Sequence, residues 1–375
     1  MSLSLYVHVP FCESKCAYCD FASWEGRGAE EANWSERMGK DLGFRGREAS
    51  GPLSSLFLGG GTPSALAPGG LDRLCRGIRD NFRLAPGAEW SMEANPVSLT
   101  PEKLAIARDH GVGRISLGVQ SFEPHLLRRM GRAHDRRGAE QALDLVAGSG
   151  LRWSADLIFA LPGQTPAMFL DSLRTLLSWK PDHVSFYGLT VEPGTDFWKQ
   201  ARDGKLQEVP EDDYVRMYEE GVSLLEAEGI RRYEVSNFAR PGQECRHNEA
   251  YWEAGAEWLA AGNSAHGFRG GVRVRNPRGL DAWSDWIDRG CPEEERAPER
   301  LAEEERWTEA WFLGLRTARG VDLERLGELF PDRQIPSQSL SRRLESGHVV
   351  REGSVVKLQG DGWLLLDAIA VELSG

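Results

Sequence analysis

The sequence predicts an α/β chain built on a partial (β/α) TIM-type barrel, followed by a small, mainly helical, winged-helix-like unit. Three observations carry that expectation. Apolar runs of strand length alternate with helical patterns every ~30 residues over the first two thirds of the chain, the pattern of parallel βαβ units. Residues able to do chemistry recur just after those runs, where barrel strands gather their C-terminal ends. After residue 306 the alternation gives way to helical patterns and one short hairpin. A chain of 375 residues suits one large barrel with an appendage.

Residues 3–9 read as a buried strand. A polar stretch follows, with a helix expected over 34–44. Residues 53–58 form the next strand, which runs into Gly59-Gly60-Gly61-Thr62-Pro63-Ser64. Helix 71–82 comes next, then a strand at 89–96 stopped by Pro96. Helix 100–110 has Pro101 at its first position, where a missing N–H costs nothing. Strand 114–119, helix 136–149, strand 153–159, helix 168–179, strand 183–189, helix 214–228 and a strand at 232–236 bring the count to about seven units. Residues 292–306 are rich in Pro, Glu and Arg and read as a solvated acidic linker. The expected division is therefore a barrel with its extension over 1–291, the linker over 292–306, and a C-terminal unit over 307–375. In that unit, helices are expected at 307–317, 323–329, 338–346 and 363–373, with a hairpin formed by 349–351 and 355–358.

Composition excludes several classes. Hydrophobic residues make up 41% and charged residues 27%, the balance of an ordinary globular protein. The net charge of −12 gives no general attraction to phosphate backbones, so no nucleic-acid partner is expected. No apolar run approaches the ~20 residues that span a bilayer. The N-terminus shows no basic segment followed by an apolar core. Of six cysteines, three share one loop and Cys75, Cys245 and Cys291 are scattered. That usage reads as cytoplasmic and metal-binding. Thirteen tryptophans, several after residue 250, serve either a core or a flat aromatic ligand.

The chemistry begins at Tyr6-Val7-His8-Val9-Pro10-Phe11-Cys12-Glu13-Ser14-Lys15-Cys16-Ala17-Tyr18-Cys19-Asp20-Phe21. Cys12, Cys16 and Cys19 stand as Cys-x3-Cys-x2-Cys, so one tight loop can aim three sulfurs at one centre. Thiolates suit soft metals, meaning zinc or iron–sulfur. A closed structural zinc site or a ferredoxin cluster takes four protein ligands, and this loop offers three, which leaves a coordination position open. With His8 or Asp20 as a fourth ligand the loop would be a zinc knuckle, and spacing alone leaves both readings standing. The run Gly59-Gly60-Gly61 lets backbone approach a ligand with no Cβ in the way. It is not a dinucleotide fingerprint, because Ser64 stands where a third glycine belongs. A plain glycine turn is the alternative. The cysteine loop, the glycine run, Glu93, Gln120 and Asp156 each follow a strand, which gathers them at one end of the barrel.

Five motifs occur in order: Tyr-x-His-x-Pro-Phe-Cys-x3-Cys-x-Tyr-Cys, Gly-Gly-Gly-Thr-Pro, Glu-x-Asn-Pro, Gly-x-Gln-Ser-Phe and Asp-Leu-Ile-x-x-Leu-Pro-Gly-Gln-Thr. Together they resemble the coproporphyrinogen-oxidase-like branch of the radical S-adenosylmethionine (SAM) proteins, over nearly the whole chain. The resemblance implies a 4Fe–4S cluster on Cys12, Cys16 and Cys19, with SAM chelating the iron that has no protein ligand. It places Tyr6 beside the cluster and Gly60, Gly61 and Thr62 on the methionine part of SAM. It gives Glu93, Gln120 and Arg132 polar contacts to SAM, and brings Asp156 to the adenosyl ribose or to a second SAM. Taken singly, a carboxylate is more often a helix cap or a surface ion pair; the motif order is what singles out Glu93 and Asp156.

Within that branch three features bear on the member. The oxidases carry a further cysteine where this chain has Phe21, and an extension ahead of a cluster loop that here begins almost at once. Residues Cys245-Arg246-His247-Asn248-Glu249-Ala250-Tyr251-Trp252 resemble the His-Asn-x-x-Tyr-Trp motif of the HemW-type heme chaperones. Histidine is a common axial ligand of heme iron. Tyr251 and Trp252 have the flat, amphipathic rings that pack on a porphyrin. Cys245 is a rival axial ligand, and the plain alternative makes His247 and Asn248 structural polar groups at the barrel edge. A departure lies at Gly262-Asn263-Ser264-Ala265-His266-Gly267-Phe268, where the family has Gly-Ala-His-Ser: His266 is kept, while Asn263 and Gly267 differ. The resemblance thus implies a heme chaperone that passes heme to a hemoprotein of respiratory or cytochrome type. Membrane contact is expected only peripherally, through that recipient. Coproporphyrinogen decarboxylation is not expected. The alternatives are an oxygen-independent coproporphyrinogen III oxidase or another radical SAM tailoring enzyme such as a methyltransferase.

Overall fold

The computed structural model describes residues 3–253 and 256–375. Its centre is a twelve-stranded sheet rolled into a partial barrel. The strands are β1 (Leu3–Val9), β2 (Leu53–Gly60), β3 (Leu84–Ala94), β4 (Arg114–Gln120), β5 (Arg152–Phe159), β6 (His183–Gly188), β7 (Arg231–Arg232), β8 (Asn237–Ala239), β9 (Glu257–Ala261), β10 (His266–Arg269), β11 (Val272–Arg275) and β12 (Glu299–Arg300). Their order is β12-β11-β10-β9-β1-β2-β3-β4-β5-β6-β8-β7, and the seven from β9 to β6 run parallel.

Strand alternation sorts the side chains. Leu5, Val7, Leu56, Leu58, Trp90, Met92, Ile115 and Leu117 point outward and are buried under the helices. Those helices include α1 (Glu31–Glu48), α2 (Pro68–Asn81), α3 (Pro101–His110), α4 (Pro124–Arg129), α5 (Arg136–Ala147), α6 (Pro166–Leu177), α7 (Asp196–Arg202) and α8 (Glu211–Ala227). The hydrophobic core therefore lies between sheet and helices. The inward face is polar. In register across it stand Ser55 with Glu89, Glu93 with Ser116, Ser116 with Ser154, and Asp156 with Ser185. Thr100, Asp135 and Thr165 cap α3, α5 and α6 by accepting backbone N–H bonds, which fixes where the chain turns back from the barrel mouth.

One region departs from the sequence expectation, and a second adds to it. Residues 232–236 are not one strand. The chain forms the short antiparallel pair β7 and β8 around a turn held by the buried Glu234 carboxylate, which accepts from Ser236 N and Asn237 Nδ2. Residues 292–306 are mostly exposed, as expected of a solvated stretch, and are pinned to the sheet edge at two points. β12 pairs with β11, and the buried Arg296 donates to Asn276 Oδ1.

Between β8 and the C-terminal unit come α9 (Arg246–Trp252) and α10 (Leu280–Asp288). The C-terminal unit comprises α11 (Glu303–Leu315), α12 (Leu323–Leu329), α13 (Ser337–Glu345) and α14 (Leu366–Ser374). Its wing is a three-stranded sheet of β13 (Val321–Asp322), β14 (Val349–Glu352) and β15 (Val355–Leu358). It docks on the open edge of the barrel. Val235 N donates to Arg316 O, Ala318 N donates to Tyr233 O, and Arg316 pairs with Glu234 at 2.9 Å. Trp283, Trp286, Trp307 and Trp311 are core residues. Among the described residues, no helix is long and apolar enough to cross a membrane.

Candidate functional site

At the C-terminal end of the parallel strands lies a cavity of about 500 Å³. Cys12, Cys16 and Cys19 line it together with Gly60, Gly61, Thr62, Glu93, Gln120, Arg132 and Asp156. Ten of the fourteen residues singled out in the sequence thus meet in one place.

The cysteine loop leaves β1 and is held from several sides. Trp24 N donates to Pro10 O, Ala17 N donates to Met130 O, and Phe197 N donates to Ala17 O. Glu25 accepts from Lys15 N, while Lys15 Nζ donates to Phe21 O at 2.6 Å and to Ser23 Oγ at 3.1 Å. Each sulfur has a polar neighbour. Cys12 Sγ lies 3.6 Å from Thr62 Oγ1, Arg132 Nη1 lies 3.4 Å from Cys16 Sγ, and Lys15 Nζ lies 3.9 Å from Cys19 Sγ. Burial pushes the Cys12 and Cys19 thiols up, and these partners oppose that rise; beside a metal they would tune it. His8 is turned away: its Nδ1 meets Tyr6 Oη at 3.1 Å and its Nε2 meets Ala22 O at 2.9 Å. It is not a fourth ligand in this arrangement. Among the described residues, no three His, Cys, Asp or Glu side chains converge as a single-ion site requires.

The glycine run serves the fold as well as the cavity. Gly60 has φ +105°, and a Cβ there would fall 2.3 Å from His8 Nδ1. A Cβ on Gly61 would fall 2.7 Å from Val9 O, whose carbonyl accepts from Gly61 N. Backbone thus presses against β1 and the cysteine loop at the same point where it faces the cavity.

Glu93 and Asp156 are half-buried on the inward face, deep in the cavity wall. Gly60 N donates to Glu93 Oε2 at 3.1 Å, and Ser116 Oγ donates to Asp156 at 3.2 Å. Burial, reinforced by the Asp156 charge, pushes Glu93 up to about 8. Burial also pushes Asp156 up to about 6, against hydrogen bonds from Ser185 and Ser116. Near neutral pH the pair therefore presents an ionised Asp156 beside a protonated Glu93, and a cation arriving there favours ionisation of Glu93.

The other four residues lie elsewhere. Tyr6 stands one layer deeper in the barrel, behind His8, where it stacks on Phe57 at a centroid distance of 6.4 Å. It does not line the cavity. His247, Tyr251 and Trp252 belong to α9, which closes the opposite end of the barrel. There Arg246 N donates to Glu89 Oε1, and Arg114 joins Glu89 to the carbonyls of Gln243 and Glu244. His247 is only 1% exposed. Its Nδ1 lies 2.9 Å from Ser55 Oγ, its Nε2 lies 2.9 Å from Tyr251 Oη, and its ring stacks on Phe57. Burial lowers it to about 3, so it is neutral. Trp252 faces outward, with the Arg316 guanidinium 5.5 Å from its ring. Cys245, just ahead of α9, is buried, and its thiol is pushed up to about 12.

Sequence reasoning missed Lys15, Ser116 and Tyr187, which also line the cavity. Lys15 was visible as the one cation inside the cysteine loop, and Ser116 as an inward position on β4. Tyr187 had no signal beyond its place near the end of a strand.

A parallel barrel with three cysteines in one loop at its mouth, opposite a glycine turn and inward-facing carboxylates, defines the radical SAM class, and the Radical SAM superfamily model matches residues 6–176. The chain is 36% identical over 371 residues to the heme chaperone HemW of Bacillus subtilis, covering 96% of each. It is 38% identical over 290 residues to the heme chaperone HemW of Escherichia coli, covering 74% of this chain and 75% of that one. The chain belongs to the HemW heme chaperone family of radical SAM proteins. In fold it is similar to the coproporphyrinogen III oxidase HemN of Escherichia coli. The TM-score is 0.84 at 22% identity, over all of this chain and 90% of that one.

Proposed function

We propose that this chain is a heme chaperone that holds a 4Fe–4S cluster and SAM at the barrel mouth and carries heme at α9 to a recipient hemoprotein. The observation that carries the cofactor reading is the convergence of Cys12, Cys16 and Cys19 with Gly60, Gly61, Thr62, Glu93, Gln120 and Asp156 on one cavity. The three cysteines would ligate the cluster, which supplies one-electron chemistry when bound. The donor set fits: three sulfurs, each beside a hydroxyl or a cation, leave one position for a bidentate amino acid group. Glu93, with Asp156 behind it, would accept a hydrogen bond from the SAM amino group or a ribose hydroxyl. Arg132 donates to Gly118 O at 2.6 Å as well as lying on Cys16, so its role is at the cluster more than at the SAM carboxylate. Residues 1–291 would hold these groups, residues 292–306 would fasten the sheet edge, and 307–375 would cover α9.

Heme delivery is supported by the family and by the His247-Asn248-x-x-Tyr251-Trp252 motif. Ligation of iron by one ring nitrogen of His247 would require that nitrogen to give up its partner, Tyr251 at Nε2 or Ser55 at Nδ1, so it belongs to an opened form of the barrel floor. Anaerobic reconstitution followed by heme titration tests the reading, with product analysis after coproporphyrinogen III and SAM are supplied. About four iron and four sulfide per chain are expected, lost in Cys12→Ala, Cys16→Ala and Cys19→Ala. Heme binding without decarboxylation is expected. Zinc in place of iron, or robust decarboxylation, would overturn it.

A further inference from the structure

A line of aromatic side chains crosses the inside of the barrel from the cavity mouth to the sheet edge. His8 lies directly under Gly60 of the cavity wall. Tyr6 Oη meets His8 Nδ1 at 3.1 Å, and Tyr6 stacks on Phe57. Phe57 stacks on His247 at a centroid distance of 5.2 Å, and Tyr251 Oη meets His247 Nε2 at 2.9 Å. Tyr251 in turn meets Trp258 edge-on at 4.9 Å between centroids. Trp258 is half-buried and lines a cavity of about 470 Å³ beside β10 and β11.

The other partners of the two histidines fix where their protons sit. Ala22 O can only accept, so His8 Nε2 carries the N–H and Nδ1 offers its lone pair to the Tyr6 hydroxyl. Ser55 Oγ donates to Ser4 Oγ, so it accepts from His247 Nδ1, and Nε2 offers its lone pair to the Tyr251 hydroxyl. Burial keeps both rings neutral, lowering His8 to about 4 and His247 to about 3. Packing alone needs no hydroxyl on either tyrosine. Each phenol instead donates its O–H to a neutral imidazole, and Phe57 joins the two pairs.

We propose that this line is a one-electron relay that draws oxidising equivalents away from the cysteine loop to the sheet edge. The inference does not depend on what the three cysteines hold. The oxidant is of the peroxyl-radical class; it gains one electron and, with a proton from water, becomes a hydroperoxide. Tyr6 supplies the electron, its O–H bond breaks, and the proton goes to His8 Nδ1. Tyr251 then returns an electron to Tyr6 through His247 and Phe57. Its own proton passes to His247 Nε2, while His8 gives back the proton of Tyr6. Trp258 refills Tyr251, which recovers its proton from His247. A soluble thiolate reduces Trp258 at the surface and leaves as a thiyl radical. Without the relay the nearest oxidisable groups at the mouth are the sulfurs of Cys12, Cys16 and Cys19.

The test exposes the full chain, with and without iron, to peroxyl radicals from a water-soluble azo initiator, and compares the parent with Tyr6→Phe and Tyr251→Phe. Both substitutions keep the ring and remove only the hydroxyl, so the barrel should fold. Electron paramagnetic resonance of frozen samples reads the radical, and peptide mass spectrometry reads which residues are oxidised. The parent should show a neutral tyrosyl signal, with oxidation collected at Trp258. In both variants oxidation at Trp258 should fall to that of Trp198, an equally half-buried ring outside the line, and sulfinic acid should rise at Cys12, Cys16 and Cys19. No tyrosyl signal in the parent, or one oxidation pattern shared by parent and variants, would show that the line is packing only. A chain that takes up no iron yet shows the expected pattern would keep the relay and overturn the cluster reading instead.

Discussion

Two inward carboxyls, Glu93 and Asp156, set the electrostatics of the barrel mouth. Glu93 stands at about 8 in the folded chain against an ordinary value of 4.5, chiefly through burial. Its folded value is raised, so the neutral form is the favoured one in the fold. Its contribution to stability is then fully present below the unfolded value of 4.5 and is lost as pH rises toward 8. The apo protein should accordingly melt at lower temperature at pH 8 than at pH 5.5, and Glu93→Gln should shrink that difference; a thermal melt series reads both. The sulfonium charge that SAM would bring into the barrel mouth favours the ionised form. SAM should therefore bind more tightly from pH 6 to pH 8, by up to about tenfold per unit, with proton release visible in calorimetry in paired buffers. An affinity that is flat with pH would show that Glu93 does not feel the charge of SAM.

At the scale of elements, α9 is the piece whose position was not legible. The βα period could be read because strands and helices here differ in hydrophobic pattern, and their caps, Thr100, Asp135 and Thr165, are explicit in the sequence. The motif of α9 was legible as chemistry. Its location under the barrel is set by long-range contacts, Arg246 N to Glu89 and His247 to Ser55, which no local pattern announces. The same holds for Tyr6: its motif position implied the cluster, yet alternation along β1 places it behind His8. Ser55→Ala removes the partner of His247 Nδ1 and leaves a buried imidazole N–H or lone pair unmatched, at a cost of ~1–3 kcal/mol. Amides of 246–252 should then exchange about tenfold faster or more, with the cysteine loop unchanged. Equal exchange in parent and variant would show that Ser55 does not hold the helix down.

For the whole molecule, the C-terminal unit is fastened through one buried charge. Glu234 is fully buried, and Arg316 of α11's end meets it at 2.9 Å. Burial raises Glu234, and Arg316 with the Asn237 and Ser236 donors opposes that rise. Arg316→Ala strands the carboxyl, and a loss of ~3–5 kcal/mol is expected, seen as a lower urea midpoint. The double variant Glu234→Gln/Arg316→Ala should recover part of it. An unchanged midpoint in the single variant would mean that the seam is held by backbone pairing alone. The sequence could not show this joint. Arg316 and Glu234 are 82 positions apart, so no local pattern links them.

The cysteine loop divides two tasks between backbone and side chains. Its backbone is stitched to the ends of α4 and α7 through Met130 and Phe197, and to Glu25 through Lys15. None of these bonds involves a sulfur, so the thiols are spare: an exchange of sulfur for a methyl group removes a ligand without removing a stitch.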